Sequence, residues 1–382
     1  MDAIAPASAP RADVRGWTPE HWRRALEVAE WHRLSPVLFH HLSAAATAPP
    51  EVLAELEQAY LANAARNLFI GASLRSVLAA LAAAEIPAML LKGAALIETV
   101  YPDPALREML DLDLLVPLAS LDAANAALTG IGYRPVGTGE AGPARLEHHH
   151  DPALVGEQGI VAVELHYHIA MESERAWIDM GDLWARARPA PAGPAHLLPS
   201  PEDLLVHVCF HFTRNRLGGS HRRRSTGGAL GQLCDVARLV ESESLDWDAL
   251  VATVRASNLG ARVFLALFAA REVGVAIPVS ALEALRPAGF SPGVGRRLVE
   301  LRVLRTDGHL PVRSLRWMVA PPRDVLKHGW DADPGSSRSL ARAYVRRARA
   351  QAPRAGSALR RPWSLVQDYR LNGQIQSLER RE

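Results

Sequence analysis

Lysine is nearly absent from this chain. Of its 43 basic side chains only Lys92 and Lys327 are lysines, and the rest are arginine. Against that bias a lysine directly before Gly93 is a placed residue. A compact ammonium beside a small glycine at a helix start suits a phosphate; taken alone, the same residue also reads as a solvated charge after a strand. Cysteine is equally scarce. Cys209 and Cys234 are the two in the chain, and they lack metal-ligand spacing, so reduced and buried thiols are the expectation. Long apolar runs are missing too: the most apolar stretch, Val77 to Leu91, is broken by Glu85 and Pro87 and is too short to cross a bilayer. The opening residues MDAIAPASAPRADVRG have no apolar region behind a basic start, which argues against a signal peptide and makes the cytoplasm the default location. A net charge of +2 gives no reason to expect bulk nucleic-acid binding.

What the chain does contain is a pair of acids inside an apolar run. In DLDLLV, residues 111–116, a strand puts Asp111 and Asp113 on one face while Leu112, Leu114 and Val116 enter a core. Two carboxylates flanked by buried aliphatics are costly unless something positive lies between them. For an all-oxygen site the economical candidate is Mg²⁺ or Mn²⁺. A later segment, Gly159 to Ala170, alternates as cleanly. Val161, Val163, Leu165, Tyr167 and Ile169 form an apolar face, and Ala162, Glu164, His166 and His168 form the other. Glu164 is thereby mid-strand on the polar side, placed for a third carboxylate; an edge strand with one solvated face is the alternative.

The segment LLKGAAL…YPDPALREMLDLDLLV resembles the core of the uncharacterised nucleotidyltransferases of the DNA polymerase β-like superfamily. The matching positions are Lys92, Gly93, Arg107, Asp111 and Asp113. Glu164, in a recurring Glu-Leu-His segment, matches the third carboxylate. The resemblance implies metal-dependent transfer of a nucleoside monophosphate from an NTP, with ATP as the expected donor. Two metal ions, Mg²⁺ or Mn²⁺, would be held by Asp111, Asp113 and Glu164. Lys92 and the backbone around Gly93 would hold the β- and γ-phosphates. Arg107 would steady the departing pyrophosphate or position its loop, and His166 would orient a carboxylate, contact the nucleotide or accept a proton. The acceptor would be a hydroxyl on a small molecule or a peptide, with no nucleic acid involved. Two departures stand out: Ala94 replaces the Ser or Gly usual after Gly93, and YPDPALR lengthens the approach to Asp111. A catalytically silent nucleotide-binding or partner-binding protein on the same fold is the alternative.

The pattern of elements predicts an α+β architecture: a polymerase β-like core of mixed sheet and packed helices, with helices before and after it. Residues 1–16 are Ala/Pro-rich and expected to be disordered, and 17–84 form a helical region. Thr18-Pro19-Glu20 is a helix start, and a long helix runs from about Pro50 to Ala84 with Leu53, Leu56, Tyr60, Leu61, Leu68, Leu74 and Leu78 at near-helical spacing. The nucleotidyltransferase core spans 85–190, with strands at Ala88–Leu91 and Asp111–Val116, a helix at Leu121–Thr129, and short strands within Tyr133–Val136 and Arg145–Leu154. A Pro/Ala-rich linker leads to a helical domain at 200–330, and an Arg-rich tail fills 331–382.

Several other features read as structural. His207 and His211 have metal-compatible spacing, but HVCFH lacks the glutamate of a zincin and reads as structural or acceptor-pocket lining. His148-His149-His150-Asp151 reads as a solvated loop rather than a metal tract. RNRLGGSHRRRSTGG, residues 214–228, reads as a mobile basic loop. Asp235 reads most simply as a helix-surface acid, with a cleft-facing position as the alternative. The tail reads as a solvated end, with a basic helix at Ser337–Ala350 as the alternative.

Overall fold

The structure, a computed structural model, describes residues 14, 16–45, 47–136, 149–156, 159, 161–171, 174, 178–191, 196–217 and 228–304. The terminal stretch 1–13, His148, the segment 218–227 and the whole Arg-rich tail lie outside the described residues, and with them the expectations made there.

Three helices open the fold: α1 (Pro19–His32), α2 (Ser35–Ala45) and α3 (Pro50–Ala83). Thr18 caps α1 as expected, accepting from the His21 backbone N–H with Pro19 in the first turn. The 34-residue α3 is the long helix read from the sequence. Its buried stripe differs, however. Leu61 and Leu68 are 57% and 76% exposed, whereas Asn63 and Asn67 are buried beside Leu56 and Ile70. Polar residues carry part of the inward face, so an apolar-only pattern is out of phase there.

A seven-stranded mixed sheet follows, made of β1 (Met89–Leu90), β2 (Asp111–Leu115), β3 (Arg134–Pro135), β4 (Leu154–Val155), β5 (Ala162–His166), β6 (Arg188–Pro189) and β7 (Leu197–Leu198). Their order across the sheet is β3-β4-β5-β2-β1-β7-β6. β5 runs parallel to β2 on one side and antiparallel to β4 on the other, so it is an interior strand and the edge-strand alternative does not hold. Between these strands lie α4 (Lys92–Thr99), a 3₁₀ turn at Pro104–Leu106, α5 (Leu121–Gly130) and α6 (Met180–Ala185).

Leu112, Leu114, Val116, Val163 and Leu165 enter the main core, as the alternation required. On the opposite face Leu115 joins Met89, Leu91, Leu183 and Ile169 in a second cluster. Ile169 was expected beside Val161 and Tyr167. β5 ends at His166, strand alternation stops with it, and Ile169 turns to the other side.

The remaining helices are α7 (Pro201–Phe212), α8 (Ala229–Val240), α9 (Trp247–Arg255), α10 (Gly260–Glu272), α11 (Val279–Ala284) and α12 (Pro292–Val299), with a π-helical turn at Thr213–Leu217 directly after α7. They share the main core with α3 and the sheet. The C-terminal end of α1 approaches α8 so closely that a β-carbon on Gly231 would stand 2.7 Å from the His32 carbonyl oxygen. That approach closes one wall of a cleft above the carboxylates of β2.

Candidate active site

The register between β2 and β5 builds the site. Asp113 pairs with Glu164, Asp111 with Ala162, and Leu115 with His166. In a parallel pair, neighbouring residues share a face, so the acids of one strand stand beside the acid and imidazole of the other. Among the described residues, the His/Cys/Asp/Glu group whose ligand atoms all lie within 4.8 Å of one another is Asp113, Glu164 and His166. Asp111 is outside that group. It stands at the mouth of the recess, one strand period from Asp113.

Lys92 completes this centre. The Leu91 backbone N–H donates to the Asp113 carbonyl, which ties the end of β1 to β2 and delivers Lys92 alongside. Its backbone is left-handed, with φ of 42°. A non-glycine residue there holds strain of about 1–3 kcal/mol, which persists where the surroundings fix it. The side chain turns inward, and Nζ donates to Asp113 Oδ1 at 2.6 Å.

Electrostatics divide the carboxylates. Burial alone would raise the Asp113 pKa, but Lys92 and the His166 hydrogen bond outweigh it and hold the group well below the usual carboxylate range. Burial opposes Glu164 as well, and His166 again brings it down. Asp111 goes the other way. Desolvation, then the neighbouring Asp113 charge, pushes it up to about 6 despite help from Lys92. Asp113 and Glu164 in one recess, with Asp111 at its mouth destabilised as an anion, offer oxygen donors of the kind a hard divalent cation takes.

His166 is fully buried, with Nε2 2.8 Å from Asp113 Oδ1 and 3.5 Å from Glu164 Oε2. An ionised aspartate only accepts, so Nε2–H is the donor. Nδ1 is buried and has no hydrogen-bond partner among the described residues. A proton placed there would be an unsatisfied buried donor. Metal-ligating imidazoles ordinarily donate their second nitrogen to an acceptor, and among the described residues His166 has none to donate to. Its Nε2 lies within the carboxylate group, and its hydrogen bond holds Asp113 in place.

A second layer of histidines stands behind it. His149 and His150 rings lie 5.2 and 5.0 Å from the His166 ring. His149 and Asp151 are buried, and Asp151 accepts from Asn125 at 2.6 Å, so the described part of this tract is packed and not a solvated loop. Sheet pairing explains the difference: Asp151 and Tyr167 backbone N–H groups are tied across to Leu165 and His149 carbonyls. His207 on α7 is buried, and burial with the Lys92 charge holds its pKa well below the usual value. His211 lines the cleft, bonded to Asn215 and Gln232.

The cleft, about 300 Å³, runs from Lys92, Asp113 and Glu164 to Arg33 and Arg216 on the helical side. Gly93 forms part of its floor. A β-carbon there would stand 2.6 Å from Arg107 Nη1 and 3.1 Å from the Met109 side chain, so a larger residue would have to displace them. Arg107 does not hang free. It makes paired bonds to Asp235 of α8, Nε to Oδ1 at 2.9 Å and Nη2 to Oδ2 at 3.0 Å. Asp235 is buried, which overturns its reading as a helix-surface acid. Burial would lower the Arg107 pKa, and Asp235 more than reverses that.

The long YPDPALR approach is also held from α3. Asn63 donates to the Ala105 carbonyl at 2.6 Å, and Asn67 to the Pro104 and Arg107 carbonyls at 2.6 and 2.7 Å. Tyr60 donates to Asp103, the cap of the 3₁₀ turn. Sequence reading missed these residues. Two asparagines four apart on an otherwise apolar helix face were the available signal.

A search of curated proteins finds none that matches this chain. Residues 18–274, about two-thirds of its length, match the family described as "Uncharacterised nucleotidyltransferase". The matched region contains the whole sheet, the acidic centre and the helices that wall the cleft. The chain belongs to this nucleotidyltransferase family.

Proposed function

We propose that this protein transfers a nucleoside monophosphate from an NTP, with ATP as the first candidate donor, to a hydroxyl on a small molecule or peptide, using Mg²⁺ or Mn²⁺. The observation that carries this reading is the cross-strand pairing of Asp113 with Glu164, with Lys92 beside them and Asp111 at the cleft mouth. Asp111, Asp113 and Glu164 would hold the cation, which when bound supplies charge neutralisation at the transferred phosphoryl group.

The chain's own groups account for the rest. Gly93 carries no side chain of its own, which leaves room for the Arg107 guanidinium and Met109 to pack over it at the cleft floor, where the guanidinium can meet a phosphate. Lys92 balances Asp113 when the site is empty of cation, and its ammonium is positioned to turn to a phosphate when Asp113 is otherwise occupied. The acceptor hydroxyl oxygen attacks the α-phosphorus and releases its proton to solvent, the bond to the α,β-bridging oxygen breaks, and pyrophosphate departs. Helices α7 and α8 wall the cleft and limit water around the reacting groups.

The silent-fold alternative also has an observation behind it: the Lys92–Asp113 pair already neutralises one of the proposed ligands. Calorimetric titration of ATP, GTP, CTP and UTP, with and without Mg²⁺ or Mn²⁺, separates the two. The proposal expects one or more NTPs to bind only with metal, and the Asp111→Ala/Asp113→Ala variant to lose that binding. Metal-independent binding, or none to folded protein, would remove the enzymatic reading.

A further inference from the structure

Asp235 belongs to α8, yet its carboxylate serves the loop before β2. Arg107 takes both oxygens through parallel bonds of 2.9 and 3.0 Å, and the Tyr101 hydroxyl donates to Oδ1 at 2.8 Å. A planar guanidinium held by two parallel bonds has its direction fixed as well as its position. The remaining nitrogen, Nη1, makes, among the described residues, only a long 3.4 Å contact to the Glu108 carbonyl. It overhangs Gly93, 2.6 Å from where a β-carbon would be.

Asp235 is not the sole tether of the loop. Asn63 and Asn67 on α3 already bind the Pro104, Ala105 and Arg107 carbonyls, independently of α8. What Asp235 adds is the aim of the guanidinium. We infer that Asp235 is a positioning residue of the nucleotide site: from the helical wall it fixes the guanidinium of Arg107 so that Nη1 meets the β- or γ-phosphate of an NTP bound in the cleft. This rests on the nucleotide reading above and deepens it, since it makes the helical wall part of the selection for a triphosphate over a monophosphate.

The test is titration of the NTP that wild type binds, and of its monophosphate, with metal present, against Asp235→Asn and Arg107→Lys. Asparagine cannot accept both guanidinium bonds, and lysine cannot make them. Each variant should weaken NTP binding by about 10- to 100-fold, the worth of one charge-assisted hydrogen bond. Monophosphate binding should stay within about twofold. Asp235→Asn should add little once Arg107 is alanine, because the aspartate acts through that arginine.

Circular dichroism and a melting curve accompany each titration. A folded Asp235→Asn protein that binds NTP as wild type does overturns the inference and leaves the nucleotide reading intact. Equal loss of NTP and monophosphate binding also overturns it, pointing to a structural role. If Asp235→Asn fails to fold, Arg107→Lys decides alone by the same comparison. No NTP binding by wild type overturns the nucleotide reading and the inference with it.

Discussion

Lys92 Nζ lies 2.6 Å from Asp113 Oδ1, so the lysine that the sequence offers to a phosphate is paired with a proposed metal ligand. The pair is buried, with Asp113 side chain 3% exposed and Lys92 16%. Ammonium and cation would therefore compete for the same oxygen. Replacing Lys92 with methionine removes the ammonium and leaves the buried Asp113 charge with the His166 hydrogen bond, at a cost on the order of 3 kcal/mol. A divalent ion should restore much of that loss. Thermal denaturation with and without Mg²⁺ is the measurement: the metal-induced rise in Tm should be larger for Lys92→Met than for wild type. Equal rises would mean that the metal does not use Asp113.

His166 separates orienting from ligating. Its Nε2–H is directed at Asp113, and its buried Nδ1 has no partner among the described residues. His166→Gln can still supply an N–H donor, so its Mn²⁺ affinity should fall by no more than about tenfold, while His166→Ala should lose more. The decisive reading is pulsed electron paramagnetic resonance on the Mn²⁺-loaded protein. No imidazole nitrogen coupling is expected, and a coupling lost in His166→Gln would make His166 a ligand.

How much of this was legible follows from the range of each interaction. Asp111, Asp113 and Glu164 stood out because strand alternation is a local, two-residue signal. The Thr18 cap was local for the same reason. The register that sets Asp113 against Glu164 joins residues far apart in the chain, and the alternation of each strand does not fix it. Asp235 was misjudged because its partners, Arg107 and Tyr101, are remote in sequence. Asn63 and Asn67 were not singled out because their acceptors lie in and beside the Pro104–Leu106 turn, remote in sequence. The family resemblance carried the α+β fold and the chemistry class further than the residues alone.

Gly93 offers a steric prediction. A methyl group there meets Arg107 Nη1 at 2.6 Å and Met109 at 3.1 Å. Arg107 is the end of a flexible side chain, but its bonds to Asp235 remove that freedom. Gly93→Ala should therefore cost about 1–3 kcal/mol of stability, the usual range for overpacking. It should also weaken NTP binding at least about tenfold by displacing the guanidinium. Chemical denaturation and titration check the two effects separately. An alanine variant equal to wild type in both would show that the cleft floor yields.

Acid should loosen the seam between α1 and α8 through His32. The side chain is buried; its Nδ1 accepts from the Leu230 backbone N–H at 3.3 Å, and its Nε2 is without a partner among the described residues. Burial, then the Arg216 charge, pushes its pKa down to about 4. An unfolded histidine titrates near 6.5, so between those values the unfolded chain binds a proton that the folded one refuses. Stability must fall as pH drops through that window, by at most roughly 3 kcal/mol for this residue. Asp111, pushed up to about 6, works in the opposite sense, so whole-protein curves mix the two. The comparison of wild type with His32→Asn isolates the histidine, because asparagine can accept from Leu230 without titrating. Urea denaturation at pH 7 and pH 5 should show a smaller loss in the variant. The same loss in both proteins would assign the acid sensitivity to other groups, with His149, His207 and His211, all held below their usual range by burial, next to be substituted.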